Sequence, residues 1–490
     1  MSELWNTVQR FSQSKPDEIA LIGQQKQYSW SQLKDEVVRV SQQLACFKNK
    51  VIALHEENSP AWVIIDIACQ INQIILLPLP MFFSEQQLTH ALKQAGASII
   101  LFNDSVKLKH GLENITNHKP IAGLKCVTVE SAQSRLPEHT TKITFTSGST
   151  GQPKGVCLSS PHQINVAQAL LKAINLEGSK HLSILPFSTL LENIGGIYAP
   201  LLSGGTVIAL PQQSLGFNGS TGFDLPVLTE AISHYSPQSI IVLPELLLAL
   251  INAVRQGWQA PKSLQFIAVG GSKVSPELLA QAQSLGLPAY EGYGLSECAS
   301  VLSLNTPESN KKGSIGKVLS HTTVSIEDNE IVVSENTFLG YVGDENSWHK
   351  NKVYTGDIGF FDDQNYLYID GRKKNIIISS FGRNINPEWV ESELLASGKL
   401  RHAVLFGDAK PFCVALVQAY EHTMQYDETQ KVIDEVNAKL PRYAQIRRWA
   451  YVHQAMTFEA GLLTSNGRPI RDTIYQQYSQ IIEHLYEGKA

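Results

Sequence analysis

The chain is poor in cysteine. It has six in 490 residues, at positions 46, 69, 126, 157, 298 and 413, and no two form a CxxC pair. That spacing excludes a disulfide framework and a cysteine-based zinc site, and it fits a reducing compartment. Long apolar runs are missing as well. The most apolar stretch, 74–80, falls far short of the roughly 20 residues of a spanning helix, and Met1-Ser2-Glu3-Leu4-Trp5 has no signal-peptide pattern. A cytoplasmic protein is the expectation. There is no Lys/Arg block: 40 basic and 45 acidic residues leave a formal charge of −5. Nucleic acid is therefore not an expected partner. Internal repeats and low-complexity segments are absent. Hydrophobic content of 43% and charged content of 17% are those of an ordinary globular protein, and the length suggests about three structural units at ~150 residues each.

Against this background one stretch stands out, Thr144-Phe145-Thr146-Ser147-Gly148-Ser149-Thr150-Gly151-Gln152-Pro153-Lys154-Gly155. The residues before it alternate polar and apolar, as in a strand. Glycines let backbone N–H groups close on an anion, and hydroxyls and an ammonium add donors. The stretch reads as a phosphate-holding loop, with a flexible Ser/Gly linker as the plain alternative. It is not a Walker loop, because Gly155 follows Lys154 instead of preceding it.

Around it the chain alternates strands and helices. Residues 1–50 read as helix, hairpin, helix. Strands at 51–54, 74–79 and 98–102 alternate with helices at 61–72 and 86–95. A helix at 163–173, then strands at 182–186, 206–210, 239–243 and 265–269, read as a second unit. This is the pattern of doubly wound parallel sheets. Ligands of such sheets sit beyond the carboxyl ends of strands, which is where the polar loops after Phe145, Leu185 and Val269 fall. From about 300 to 372, short strands and turns suggest a small antiparallel sheet or barrel, and 375–490 a small α+β domain.

Three further segments carry chemistry. Tyr290-Glu291-Gly292-Tyr293-Gly294-Leu295-Ser296-Glu297 offers two aromatics to flank a base, a hydroxyl, and a carboxylate able to hold Mg²⁺; a strand end with Ser296 as a helix cap is the alternative. Asp357, in Thr355-Gly356-Asp357, can accept both hydroxyls of a ribose, although Gly-Asp is also an ordinary hairpin turn. Asp370-Gly371-Arg372-Lys373-Lys374-Asn375 is a charged turn that could simply be solvated.

In order and spacing these motifs resemble those of the acyl-adenylate-forming superfamily: acyl- and aryl-CoA synthetases, luciferases and peptide-synthetase adenylation domains. The likeness runs from about residue 17 to about 472. It implies an α/β fold, with two doubly wound lobes plus a small β-barrel over 1–373. A mobile α+β C-terminal lid over 374–490 follows, hinged at Lys374. It implies ATP, Mg²⁺ and coenzyme A (or a carrier protein's phosphopantetheine) as reactants. Thr146, Ser147, Gly148, Ser149, Thr150, Gly151 and Lys154 would hold the β,γ-phosphates. Gly271, Ser272, Glu291, Gly292, Tyr293 and Gly294 would line the adenine pocket, and Asp357 and Arg372 would hold the ribose. Ser296 would face the α-phosphate and Glu297 would bind Mg²⁺.

The chain departs from the family pattern at three places. Ser296 stands for threonine, Asn375 for the acid beside the hinge, and Arg468 for the lysine that bridges the substrate carboxylate and α-phosphate, in Leu463-Thr464-Ser465-Asn466-Gly467-Arg468-Pro469-Ile470-Arg471. Arginine keeps the charge but reads oxygens as a planar fork. The segment Phe187-Ser188-Thr189-Leu190-Leu191-Glu192 lacks the aspartate that amino-acid adenylation domains use, and Thr189 falls where CoA ligases often carry His or an aromatic. With Leu190, Leu191, Ile194, Val242, Leu243, Ala268 and Leu295 as pocket candidates, an apolar acid is expected, fatty before aryl. An acyl-AMP ligase serving a carrier protein, and a non-catalytic nucleotide-binding relative, are the other readings.

Overall fold

The computed structural model describes residues 2–103, 116–129, 134–146, 154–218, 222–420, 424–458, 460–464 and 467–487. Two large sheets dominate it. In one, Lys180–Leu182, Ser239–Val242, Phe266–Val269 and Ala289–Leu295 run parallel, and Thr206–Ile208 joins on the other side of Lys180–Leu182. The N-terminal hairpin Ile19–Ile22/Gln27–Ser29 completes this sheet's far edge, pairing in parallel with Thr206–Ile208. Sequence order alone places that hairpin ahead of the first αβ unit, but it belongs to the second. The other sheet holds Val51–His55, Ile75–Pro78, Ile99–Phe102, Lys142–Thr146, Lys154–Leu158 and Gly340–Tyr341. These strands are short and apolar because helices cover both faces of each sheet.

Local signals fix the covering helices. Trp30–Leu44 begins with a capping box, in which Ser29 and Gln32 satisfy each other's backbone N–H groups. Pro60–Ile71 starts on Ser59, with proline in its first turn. Trp30 and Trp62 are fully buried between the sheets with Leu33, Val37, Ile64 and Phe187.

A polar cluster crosses this core. The Lys142 ammonium lies 3.0 Å from Asp66, and donates to Asn193 at 2.5 Å and Tyr198 at 2.8 Å. Tyr198 donates to the same Asp66 oxygen at 2.8 Å. Lys142 opens the strand Lys142–Thr146, whereas Asn193 and Tyr198 bound the π-helical turn Asn193–Tyr198.

A small antiparallel sheet of Thr323–Glu327, Glu330–Ser334, Lys352–Phe361 and Leu367–Arg372 leads to the C-terminal part. There Leu400–Phe406, Cys413–Ala419 and Ile446–Tyr451 form a sheet covered by Pro387–Leu395, Tyr426–Asn437 and Arg471–Glu487, with apolar cores of their own. Asn386 caps the first of these helices through Trp389 N–H.

Some expectations change. The strand expected over 182–186 is Lys180–Leu182, because the chain turns away before Pro186. Ser296 is not a side-chain cap; it opens the short turn Ser296–Cys298. Asp357 lies within the strand Lys352–Phe361, not in a hairpin turn. The strands Thr116–Ile121, Leu124–Thr128 and Ile446–Tyr451 were not legible in the sequence. Among the described residues, no helix is long and apolar enough to cross a membrane.

Candidate active site

The parallel strands of the nine-stranded sheet deliver their carboxyl ends to one cleft of about 1070 Å³, closed on the other side by the C-terminal part. Val269 ends its strand at Gly270-Gly271, and Gly271 has φ +88°, a conformation that favours glycine. A Cβ at Gly270 would stand 3.1 Å from the Gly292 carbonyl, so the two turns approach backbone to backbone.

Most of the expected nucleotide residues converge there. Lys154, Gly271, Ser272, Glu291, Gly292, Tyr293, Gly294, Ser296, Glu297, Asp357, Arg372 and Lys374 all line the cleft. Thr146 ends the strand Lys142–Thr146, and Ser147, Gly148, Ser149, Thr150 and Gly151 lie outside the described residues. Asp357 is 3% exposed and pre-set by two partners: Arg372 Nε donates to Oδ1 at 2.7 Å and the Tyr293 hydroxyl to Oδ2 at 2.6 Å. Arg372 Nη2 also reaches Oδ2, at 3.5 Å, so Oδ1 keeps the freer lone pair. Burial, with the neighbouring Asp357 carboxylate, holds the Tyr293 hydroxyl protonated. Glu297 Oε1 accepts from Tyr341 at 2.8 Å, and the Lys154 ammonium sits over the Tyr341 ring, 5.3 Å from its centroid. That ring brings a cation and a carboxylate to one corner of the cleft. Glu291 is buried, which pushes its carboxyl up to about 7 against the pull of Lys273. Burial and the nearby Arg372 lower the Lys374 ammonium.

Arg468 enters from the C-terminal part. Its loop is a tight turn: Thr464 N–H donates to the Arg468 carbonyl at 2.7 Å, and Arg468 N–H to the Thr464 hydroxyl at 3.1 Å. Arg471 pins the turn's far end with two 2.6 Å bonds to Glu391. Arg468 Nε donates to the Gly271 carbonyl at 2.9 Å, and Nη2 contacts the same oxygen. The guanidinium thus points at the turn where the strand ends.

From Gly271 the cleft continues as an apolar channel along the sheet face. Thr189, Leu190, Leu191, Leu243, Ala268 and Leu295 line it as expected. Ile194 does not. It is fully buried in the core between the sheets. Val242 also faces away, into the core on the opposite side, and Ile241 takes its place in the channel. Side chains alternate along a strand, so choosing Val242 together with Leu243 put one of them on the wrong face. Sequence reading also missed Leu170, Ile174, His181, Ser239 and Phe266. Ser239 and Phe266 could have been found by counting back in twos from Ile241 and Ala268.

A cleft at the carboxyl ends of a doubly wound sheet, with a buried aspartate paired to an arginine and a C-terminal loop inserting a cation, defines an adenylate-forming enzyme. The sequence pattern of AMP-binding enzymes matches residues 8–340, and that of the AMP-binding enzyme C-terminal domain matches residues 374–490. The chain belongs to the AMP-binding enzyme family. It is 26% identical to the 2-succinylbenzoate–CoA ligase of Bacillus velezensis, covering 84% of this chain and 86% of that one. It is 25% identical to a long-chain-fatty-acid–CoA ligase of Mycobacterium bovis, covering 74% and 71%. Among solved structures, the anthranilate CoA ligase AuaEII with anthranoyl-AMP superposes with a TM-score of 0.80 at 15% identity, covering 97% of each chain. The Bacillus subtilis O-succinylbenzoate CoA synthetase with ATP and magnesium gives 0.76 at 22%, covering 95% and 98%.

One contact between the two parts titrates near neutrality. Ser275, ahead of the helix Pro276–Ser284, lies 3.2 Å from Glu393 Oε1 and 3.3 Å from Glu277 Oε2. Burial and the Glu277 carboxylate push Glu393 up to about 7. Burial also acts on Glu277, but bonds from Lys312 and Glu393 outweigh it and hold Glu277 below the usual carboxylate range. The docked arrangement therefore binds the extra proton. Its contribution is fully present below the ordinary carboxyl pKa and is lost as pH rises through about 7. Small-angle scattering should show a more compact particle at pH 6 than at pH 8. Glu393→Gln should remove most of that difference; an unchanged pH response in the variant would refute the assignment.

Proposed function

We propose that this chain activates a carboxylic acid with an apolar body, forming acyl-AMP and pyrophosphate from ATP and passing the acyl group to coenzyme A. The carrying observation is the channel: Leu170, Ile174, Leu190, Leu191, Ile241 and Ala268 line a path that opens at Gly271, under Arg468. Its walls contribute no Lys or Arg side chain among the described residues. The cleft's cations are on the nucleotide side or in the C-terminal part. A dicarboxylate such as 2-succinylbenzoate would leave its second charge unpaired in such a channel, which is costly. The fatty-acid reading is therefore favoured over that of the succinylbenzoate relatives.

The residues divide the work by charge. Asp357 accepts the ribose hydroxyls while Arg372 and Tyr293 hold its carboxylate in place. Lys154, with Ser147–Gly151 beside it in sequence, meets the β,γ-phosphates. The Ser296 hydroxyl faces the α-phosphate. Glu297 suits Mg²⁺: it offers one carboxylate beside the phosphate corner, and among the described residues no group of three or more His, Cys, Asp or Glu is placed to hold a metal ion. Mg²⁺ is commonly held in this way, by one or two carboxylates plus substrate phosphates. When bound, it supplies charge neutralisation on the phosphates. Arg468 draws the acid's carboxylate toward the α-phosphate, and the apolar channel fixes the chain, so attack occurs between positioned partners. We place the lid hinge at Lys374 and assign residues 374–490 to a lid that turns between adenylation and thioester formation.

Carboxylate-dependent ATP–pyrophosphate exchange over a panel of fatty, aryl and dicarboxylic acids tests the reading, with coenzyme A and carrier-protein thiols compared as acceptors. Best turnover with 2-succinylbenzoate, or transfer to a carrier protein alone, would overturn the corresponding part. Asp357→Asn should weaken ATP binding by roughly tenfold to hundredfold, with the affinity for the acid little changed, as titration calorimetry would show.

A further inference from the structure

The acyl channel does not end in hydrocarbon. Its floor is the sheet face carrying Ile241 and Ala268 near the carboxyl ends of their strands and Ser239 and Phe266 near the amino ends. His181 pairs in register with Ser239 on the adjoining strand. The floor thus runs from the adenylation point at Gly271 back toward Ser239 and His181. At ~3.3 Å per residue, the four steps from Leu243 to Ser239 span about 13 Å, the reach of roughly ten extended methylenes.

At that remote end the polar groups form a chain. His181 Nε2 lies 2.9 Å from Glu192 Oε1, and Nδ1 lies 2.8 Å from the Ser239 hydroxyl. Glu192 is fully buried, and its other oxygen accepts from Leu185 N–H at 3.1 Å. Gly196 leaves the room: a Cβ there would stand 2.8 Å from His181 Nε2 and clash with Glu192. We assign the tautomer with Nε2–H toward Glu192, whose carboxylate accepts, which leaves Nδ1 to accept from Ser239. The Ser239 oxygen then has lone pairs left and no proton to give. It lines the cavity, as does His181.

Resting on the proposed apolar-acid reading, we infer that Ser239, oriented by His181 and Glu192, is a specificity-determining residue that accepts a hydrogen bond from a hydroxyl at the far end of the acyl chain. The substrate class is an ω-hydroxylated or near-terminally hydroxylated medium-chain acid. A keto or carboxylate end offers only lone pairs to the Ser239 oxygen. A methyl end gives that oxygen no partner from the acyl chain.

The test compares dodecanoic acid, ω-hydroxydodecanoic acid and the ω-oxo and dicarboxylic analogues, with decanoic and tetradecanoic homologues to bracket the length. Both kcat/KM in ATP–pyrophosphate exchange and direct titration of each acid into the ATP-loaded protein are read. We expect a preference of tenfold or more for the hydroxylated acid over its methyl-ended twin. Ser239→Ala should bring that ratio close to one by weakening the use and binding of the hydroxylated acid. Equal use of the two acids by the wild type, a preference for the oxo or carboxylate end, or a ratio unchanged in Ser239→Ala would overturn the inference. If exchange fails with every acid, the activation reading falls, while the titrated binding ratio still decides the role of Ser239.

Discussion

Arg468→Met is expected to lower carboxylate-dependent ATP–pyrophosphate exchange by about 10²–10³-fold, the cost of removing one preorganised charge from a site where negative charge develops. The loop that carries it is held independently of that side chain, by the Thr464 turn and by the Arg471–Glu391 fork. The methionine variant should therefore fold and dock normally. Arg468 lines the cleft with its side chain still open to solvent; desolvation by the surrounding protein and Arg372 lower its pKa against the pull of Asp357 and Glu388, and an arginine shifted in this way still remains a cation. Arg468→Lys keeps the charge, gives up the fork, and should retain exchange within about tenfold. Thioester formation from added acyl-adenylate belongs to the second half-reaction, and should survive in Arg468→Met. Loss of both half-reactions together would mean that Arg468 supports the docked structure instead of the adenylation step. Full exchange by the methionine variant would hand the role to another cation lining the cleft, such as Lys374 or Lys273.

Much of this site is legible in the sequence because its parts are local. Gly271, Tyr293, Glu297, Asp357 and Arg372 each sit at a strand end or in a strand whose alternation is plain, and all of them reach the cleft. What escapes is what depends on which face of an element looks where. The choice of Val242 and Ile194 fails for this reason. Val242 is one residue out of phase with the channel. Ile194 lies in a π-helical turn, whose wider winding rotates side chains off the helical count. His181 was invisible because its partners, Glu192 and Ser239, are 11 and 58 residues away. The N-terminal hairpin shows the same limit on a larger scale: its strands are readable, but its place beside Thr206–Ile208 is set by packing, not by local pattern.

The Lys142 cluster is the clearest case of a residue that sequence alone misreads. On a strand of alternating residues its side chain would be assigned to solvent, yet it is 3% exposed. Its burial is tolerated because all three ammonium protons are used, on Asp66, Asn193 and Tyr198, and because the rings of Trp62 and Tyr198 lie 5.6 and 4.9 Å away. Burial lowers the Lys142 pKa, and Asp66 works against that shift. Lys142→Met should destabilise the N-terminal part by about 3–5 kcal/mol, because it strands the Asp66 carboxylate, one of whose oxygens already lacks a partner. Lys142→Met combined with Asp66→Leu should recover much of that loss, since two apolar residues ask for no partner; chemical denaturation of the single and double variants measures both. The cluster also ties the strand entering the phosphate loop to the turn behind the acyl channel. The double variant, though stable, should therefore bind ATP and acid with less mutual reinforcement than the wild type. Equal reinforcement in both would reduce the cluster to a packing device.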